Sequence, residues 1–236
     1  MNCGHEFNAI AELKRQYCDP CSILQAHREE EDMRAREAAL MEARYRELVA
    51  RAGIPPRWRD VTFSNSDGGL QGEAFRVTQL YAEHFSRDSG SLVLYSRGFG
   101  TGKTHLAICI ANYVLHYLRR AVLFKKARDL MLDIRRTFSD REVTEADILD
   151  QVLSVELLVL DDVGMDPPSQ WLEATYWTVF DRRLEQQLPV VATTNYALEP
   201  QGKEVGLGDR IGYGALSRLL QLSDGRVIEL KGPDLR

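Results

Sequence analysis

The stretch SRGFGTGKTHLA at residues 96–107 decides the fold of this chain, because a glycine-rich turn there joins an apolar run to a helical pattern. The apolar run is SLVLYS at 91–96, and apolar residues recur at helical spacing after the turn. Gly98, Gly100 and Gly102 leave backbone N–H groups free to converge on phosphate oxygens. The helix that follows directs the positive end of its dipole at the same place. The stretch therefore predicts a strand–loop–helix unit that binds the phosphates of a nucleotide.

Two side chains after the glycines are suited to the terminal phosphates and their metal ion. Lys103 is expected to reach the β- and γ-phosphates, and the Thr104 hydroxyl to bind Mg²⁺. Thr101 belongs to the same phosphate-binding loop. The full pattern is G-x-x-x-x-G-K-[S/T], and Arg97 stands where its first glycine belongs, so the path of the loop departs from the pattern. A chance glycine-rich turn ahead of a helix is the alternative interpretation.

Polar side chains also follow two later apolar runs. The run VELLVLDD at 155–162 ends in two carboxylates, of which Asp161 is expected to hold the Mg²⁺ shell and Asp162 to orient the attacking water. Asp162 is one methylene shorter than the more usual glutamate, which predicts slow turnover or an adjusted backbone. Asn195 follows VVATT at 190–194 and is expected to hydrogen-bond the water or the γ-phosphate. An ordinary turn residue at a strand end is the alternative interpretation of Asn195.

Apolar runs and helical patterns alternate along most of the chain, which is typical of an α/β domain with a parallel sheet. The runs expected to form strands are at 91–96, 121–125, 157–161, 190–194 and 226–230. The helices are expected after Thr104 and at 127–138, 143–153, 169–187 and 213–221. The chain divides by composition into three predicted zones, at 1–21, 22–52 and 53–236. The middle zone is charged, lacks internal Gly and Pro, and predicts a helix that either connects or docks on a partner.

Composition excludes several classes of function. The chain has 236 residues, 44% apolar and 28% charged, which fits a globular protein. Its 30 Lys and Arg against 35 Asp and Glu leave a net charge of −5, so any nucleic-acid contact needs a local basic patch. No apolar stretch is long enough for a membrane span, and no signal peptide is expected from the N-terminal residues.

The first zone contains Cys3, His5, Cys18 and Cys21. Three thiols and one imidazole suit a closed tetrahedral Zn²⁺ site, and metal binding can fold a segment too small to bury a core. An unliganded thiol cluster and a redox CxxC pair are the alternatives.

A local basic patch does occur in KKARDLMLDIRRTFSDR at 125–141, which contains six basic residues and three acidic ones. Lys126, Arg135 and Arg136 supply cations for phosphates, and Phe138 supplies a ring on which a base can stack. This combination predicts a single-stranded DNA contact. An ordinary solvated helix with Phe138 in the core is the alternative.

Together these parts resemble the AAA+ ATPases, and more narrowly the DnaC-type helicase loaders and the related IstB transposition ATPases. The resemblance covers roughly residues 50–230. It depends on the segments AGIPPRWRDVTFSN, GTGKTHLA, ARDLMLDIRRTF, VELLVLDDVG, FDRRLEQQLPVVATTN and GDRI…LSRL. It implies a five-stranded parallel sheet in the order 5-1-4-3-2, no C-terminal helical lid, and ATP with Mg²⁺ held between subunits of a spiral or hexamer.

The resemblance also implies roles for individual residues. Arg218, in LSRLL, best matches the arginine that completes a neighbouring subunit's site, and Arg210, in GDRI, is the second choice. Arg135 and Arg136 match an element that lines a single-stranded DNA channel in this branch of the family. The alternative for Arg218 is a surface or intramolecular ion pair.

The function implied is ATP-dependent loading of a hexameric DnaB-type replicative helicase onto single-stranded DNA. The N-terminal zones would bind the helicase, and the expected location is the cytoplasm of a bacterial cell, whether the gene is the cell's or a phage's. An IstB-like regulator of transposition and a weakly hydrolysing nucleotide-dependent adaptor are the alternatives.

Overall fold

A computed structural model describes residues 19–68, 72–138, 143–200, 202, 204–232 and 234. The chain divides into two compact units, residues 1–47 and 48–236. Cys3, His5, Cys18 and the side chain of Cys21, predicted to bind Zn²⁺, lie outside the described part. None of the helices in the described ranges has the length and apolar character needed to cross a bilayer.

Helix α1 (Asp19–Arg51) begins in the first unit and confirms that the charged zone is helical. It begins three residues before the predicted zone boundary, and the division into zones stays a prediction. Its apolar side chains are thinly spaced, and Met33 and Leu40 are 64% and 72% exposed. Ion pairs one turn apart, such as Arg34 with Glu30 at 2.7 Å, stabilise its surface modestly.

The second unit contains a five-stranded parallel sheet in the order β2-β3-β4-β1-β5. This is the predicted order 5-1-4-3-2 read from the opposite edge, so the prediction is confirmed. The strands are β1 (Leu92–Tyr95), β2 (Val122–Lys126), β3 (Leu157–Val163), β4 (Val190–Thr194) and β5 (Val227–Glu229).

Helices cover both faces of the sheet. They are α2 (Gly72–Glu83), α3 (Lys103–His116), α4 (Ala127–Thr137), α5 (Glu145–Leu153), α6 (Gln170–Glu185), α7 (Gly208–Ile211) and α8 (Tyr213–Ser223). Helix α2 is not predicted by the sequence pattern, because its buried residues are the small Ala74, Thr78 and Ala82. Small residues at helical spacing permit close packing but produce no stripe of large apolar side chains.

Two hydrophobic clusters lie on opposite faces of the sheet, and β3 contributes to both. Leu158 and Leu160 join the cluster under α4, α5, α6 and α8, whereas Leu157 and Val159 join the cluster under α2 and α3. Successive side chains of a strand point to opposite faces, so a strand covered on both sides must be apolar throughout. This burial explains the continuous apolar runs in the sequence.

One arginine is buried at the amino-terminal edge of the sheet. Arg183 of α6 donates to the carbonyl of Val152 and to that of Pro189, the latter at 2.7 Å, and it lies 3.4 Å from the carbonyls of Val155 and Glu156. Burial lowers the pKa of the guanidinium to about 9. The side chain thus joins the end of α5 to the segments that lead into β3 and β4.

Replacing Arg183 by Met is expected to reduce the free energy of unfolding by about 2–4 kcal/mol, because buried carbonyls lose their donors. Urea unfolding followed by circular dichroism measures the change. Arg182→Met is the matched control, since Arg182 is the exposed neighbour on the same helix. Equal stability of the two variants would contradict a structural role for the buried guanidinium.

Candidate nucleotide-binding site

The loop between β1 and α3 has the backbone that the glycine pattern predicts. Gly100 has φ of +70° and Gly102 has φ of +92°, a region that favours glycine. Gly102 caps α3, and its carbonyl accepts the N–H of Leu106 at 2.9 Å. The amino-terminal end of a 14-residue helix therefore opens directly onto the loop.

Lys103 is buried within this loop, with only 6% of its surface exposed. Its ammonium group donates to Ser96 Oγ at 2.7 Å, to the Gly98 carbonyl at 3.0 Å and to Thr101 Oγ1 at 3.4 Å. Ser96 Oγ also lies 2.7 Å from Thr101 Oγ1. Ser96 is a site residue that sequence analysis missed, although the residue directly before the loop was a natural candidate. The loop is thus organised around a cation that phosphate oxygens can bind.

The second part of the site lies at the carboxyl end of β3. Asp161 Oδ1 accepts hydrogen bonds from Thr104 Oγ1 at 2.8 Å and from Thr193 Oγ1 at 2.7 Å. The hydroxyl of Thr193 in turn accepts the N–H of Asp162 at 2.9 Å. The sequence motif gives Thr193 no role of its own, because only the sheet brings its hydroxyl between Asp161 and Asp162. The pair Thr104 and Asp161 has the oxygen donors that Mg²⁺ prefers.

The two adjacent carboxylates differ in environment. Burial raises the pKa of Asp161, and the charge of Asp162 raises it further, whereas hydrogen bonds from Thr193 and Thr104 and the charge of Lys126 lower it. Asp162 is less buried and has φ of +59°, where the strand bulges between Leu160 and Val163. The strand is therefore irregular at Asp162, and the role predicted for its carboxylate stays a prediction.

Asn195 follows β4 and lines the same cavity as the two carboxylates. Its Nδ2 lies 3.5 Å from the sulfur of Met165, in the loop after β3. The predicted polar residue is therefore brought to the site, with a side chain that a phosphate or a water can attract away from a weak sulfur acceptor.

These groups line a cavity of about 700 Å³, a size that suits a nucleotide. It includes Gly100, Thr101 and Gly102, whereas Gly98 participates through its carbonyl contact with Lys103. Another group of lining residues has no role predicted from the sequence: Pro55, Arg57, Trp58, Asp67, Phe99, His105 and Phe124. Several are aromatic or apolar, as the binding of a base requires. The signal for some of them was the segment AGIPPRWRDVTFSN ahead of the core.

Contacts with α3 position that segment. Asn112 Nδ2 donates to the carbonyls of Trp58 and Val61 at 2.8 and 2.7 Å. Ser66 Oγ lies 2.6 Å from His105 Nε2, and the Trp58 and His105 rings meet edge to face at 6.1 Å. Burial lowers the pKa of His105, which favours its neutral form. The helix that begins at the phosphate loop thus also positions this wall of the cavity.

Arg210 and Arg218 are the two candidates for the arginine that completes a neighbouring subunit's site (the arginine finger), and their surroundings differ. Arg210 donates to three backbone carbonyls of the loop after β3, at Gly164 (2.8 Å), Met165 (3.2 Å) and Asp166 (2.7 Å). Its guanidinium also lies 5.0 Å from the centre of the Tyr196 ring. Arg210 is therefore tied to its own subunit through Nε and Nη2 of its guanidinium.

Arg218 has fewer partners. Its Nε lies 2.7 Å from Asp181 Oδ1 on α6, and its Nη1 donates to Gln221 Oε1 at 3.0 Å. The side chain is 34% exposed. This contact is the intramolecular ion pair that sequence analysis considered as the alternative, and it can exchange for another anion.

The predicted DNA-contacting residues separate into two places. Arg135 lies over the Trp171 ring at 4.7 Å, and the Phe138 ring meets the same ring edge to face at 6.3 Å. Phe138 is 65% exposed, so the interpretation of a core phenylalanine is wrong. Arg136 is exposed and pairs with Asp133 at 3.2 Å. Lys126 instead lines the nucleotide cavity.

Within the described ranges, no cluster of three or more His, Cys, Asp or Glu side chains is arranged to hold a metal ion. The predicted Zn²⁺ ligands lie outside those ranges. The Thr104 and Asp161 pair needs water and phosphate oxygens to complete a Mg²⁺ shell, as is usual for this ion.

The chain is similar to proteins of an ATP-binding family over most of its length. The model of a family described as IstB-like ATP binding protein matches residues 27–236. The replicative helicase loader DnaC of Buchnera aphidicola subsp. Acyrthosiphon pisum is 30% identical over 70% of this chain, and that of Escherichia coli K12 is 31% identical over 66%. The matches span 66% and 64% of those proteins' own lengths. A crystal structure of the DnaC helicase loader superposes with a TM-score of 0.62 at 22% identity, over 75% of this chain and all of that one.

The raised pKa of Asp161 predicts a pH-dependent effect of Asp161→Asn without nucleotide. A raised pKa in the folded state means that the wild type gains stability in acid and loses it as pH rises through that pKa. The amide does not titrate. The Tm of the variant should therefore exceed that of the wild type at neutral pH by on the order of 2–4 °C, and the difference in Tm should vanish in acid. Calorimetry between pH 4 and 8 measures this change. A variant that melts lower at neutral pH would contradict the burial argument.

Proposed function

The chain belongs to the IstB-like ATP-binding protein family, and from that premise we propose that it is an ATP-dependent loader of a hexameric DnaB-type replicative helicase onto single-stranded DNA. The observation that supports this proposal best is the convergence of Lys103, Thr104, Asp161, Asp162 and Asn195 on one cavity of nucleotide size. Two relatives of the chain, in Buchnera aphidicola and Escherichia coli, carry the name of replicative helicase loaders.

Each residue of the cavity has a role in the proposed reaction. Lys103 exchanges its loop acceptors for β- and γ-phosphate oxygens. Thr104 and Asp161 would hold Mg²⁺, which neutralises charge on the phosphates. Asp162 orients the attacking water, and Asn195 hydrogen-bonds that water or the γ-phosphate.

Hydrolysis in this site is slow in our proposal. Asp162 has the shorter of the two acidic side chains, and its backbone already occupies a strained conformation, which limits how far it can adjust. ATP binding, more than its hydrolysis, then sets the state of the protein that holds DNA.

An arginine from a neighbouring copy completes the site in an assembled spiral or hexamer. We assign this role to Arg218, because its ion pair with Asp181 is partly exposed and can exchange for a phosphate. Arg210 is the weaker candidate, since its release would leave three backbone carbonyls without their donor.

Single-stranded DNA binds along α4 in this proposal. Arg135 and Arg136 provide charge for the phosphates, and the exposed Phe138 ring offers a face to a base. Trp171 supports both Arg135 and Phe138, so these two side chains are presented on a preorganised surface.

The helicase contact belongs to the N-terminal zones. The exposed apolar side chains of α1, such as Met33 and Leu40, have no packing partner in the described residues that would bury them. A Zn²⁺ site at Cys3, His5, Cys18 and Cys21 stays a prediction for the residues ahead of α1.

A regulator of transposition is the second candidate, because the matching family is described as IstB-like. Affinity purification of the full chain from its own cells separates the two functions. Recovery of a hexameric helicase, with helicase-dependent unwinding that requires this protein, supports the loader. Recovery of a transposase in its place would contradict our proposal.

The nucleotide roles predict different effects for two variants. Lys103→Ala should weaken Mg²⁺-ATP binding by about tenfold or more, because a charge-assisted contact is lost. Arg218→Ala should leave binding by an isolated chain unchanged and reduce steady-state hydrolysis by the assembly by about 10³-fold or more. Calorimetry and phosphate release measure the two effects. Normal hydrolysis by assembled Arg218→Ala would exclude that arginine as the finger.

The DNA surface predicts a salt-dependent defect. Arg135→Ala combined with Phe138→Ala should weaken single-stranded oligonucleotide binding by about tenfold or more, since a cation and a stacking ring are lost together. Fluorescence anisotropy in the presence of Mg²⁺-ATP measures this binding. Arg76→Ala, at an exposed position of α2, is the matched control. Equal affinity of the double variant and the control would place the DNA elsewhere.

A further inference from the structure

Two adjacent lysines end β2, and the structure gives them different surroundings. Lys125 Nζ lies 2.5 Å from Asp133 on α4, with only 20% of the side chain exposed. Lys126 is exposed and lines the nucleotide cavity. No carboxylate of the described residues lies within ion-pair distance of the Lys126 ammonium. In the sequence, Lys125 and Lys126 are adjacent residues of one basic segment, whereas in the fold only Lys126 lines the cavity.

Strand pairing determines where Lys126 lies in the cavity. Lys126 is the register partner of Asp161 on the adjacent parallel strand, and neighbouring strands are about 4.8 Å apart. The pair Asp161 and Thr104 is the proposed Mg²⁺ position. Lys126 therefore flanks that position on the side away from the phosphate loop, opposite the buried Lys103.

The negative charge in the cavity favours a further cation such as Lys126. Asp161 and Asp162 contribute two carboxylates at the end of β3, and an ATP molecule with its metal ion adds further negative charge. Lys103 is the buried cation of the phosphate loop, and Lys126 and Arg57 are further cations of the same subunit that line the cavity. A long lysine side chain without an ion-pair partner can follow a phosphate that is present in ATP and missing in ADP.

We propose that Lys126 is a second phosphate-binding cation of this site, acting within one subunit on the terminal phosphate of ATP. This inference rests on the proposed function, because it assumes that the cavity binds ATP. It removes Lys126 from the predicted DNA surface. It also makes Lys126 a determinant of the preference for ATP over ADP, since only the triphosphate reaches it.

The position of Lys126 gives this contact a second consequence. Lys126 is the residue directly before α4, the helix that carries Arg135 and Arg136 and that Phe138 follows directly. A phosphate held by Lys126 would act on the first turn of the proposed DNA-binding helix.

Isothermal titration of the full chain with ATP and with ADP, both in Mg²⁺, tests the proposal on Lys126→Met. We expect about tenfold weaker ATP binding and ADP binding within about threefold of the wild type. Lys126→Arg should restore most of the ATP affinity, because it restores the charge. Lys125→Met is the matched control, and its ATP affinity should stay within about threefold of the wild type, because that lysine pairs with Asp133.

Several results would overturn the assignment. Unchanged ATP affinity of Lys126→Met, or equal losses for ATP and ADP, would exclude a contact with the terminal phosphate. Unchanged ATP affinity together with weaker oligonucleotide binding would return Lys126 to the DNA surface. ATP binding by Lys103→Ala distinguishes a wrong role for Lys126 from a wrong proposed function. If the wild type binds ATP and Lys103→Ala binds it about tenfold or more weakly, only the role of Lys126 is wrong, whereas a wild type that does not bind ATP overturns both.

Discussion

The hydrogen bond from Thr104 Oγ1 to Asp161 Oδ1 is the contact on which the site depends. It joins the first turn of α3 to the end of β3 across 57 residues of chain, at 2.8 Å. Because β1, β3 and β4 are parallel, their carboxyl ends meet at one edge of the sheet, and each delivers a polar residue there. Thr193 supports the same carboxylate from the strand between them. Without this alignment of the strand ends, the phosphate loop and the acidic pair would not lie close enough to form one site.

Burial of the Asp161 carboxylate lowers the stability of the unliganded protein, and the proposed binding of a metal ion accounts for this loss. A carboxylate that burial and a neighbouring charge both disfavour destabilises the protein when no cation is bound. Two hydroxyl donors limit that cost without removing it. In the proposed function, a metal ion with a triphosphate would satisfy this carboxylate, so the residue that weakens the unliganded fold would favour the ligand.

The arginines show how similar residues acquire different uses through packing. Arg183 organises the amino-terminal edge of the sheet, Arg210 organises the loop after β3, and Arg218 has a partner that it can exchange. The loop held by Arg210 also contains Met165, which contacts Asn195, and Asp166, which lies 3.6 Å from Arg128 of α4. That loop therefore lies between the nucleotide cavity and the proposed DNA surface, and its backbone is fixed by one side chain from α7.

The sequence by itself determined the strands, most of the helices, the sheet order through resemblance, and the residues that chemistry requires at the ends of β1, β3 and β4. Those features repeat locally or follow a motif, so they are readable without the fold. Only the tertiary structure decided that Lys125 and Lys126 have different surroundings, that Arg210 is tied to carbonyls, and that Trp58 and His105 form a wall of the cavity. These facts depend on strand register and on contacts between residues distant in sequence, which no local pattern of residue types records.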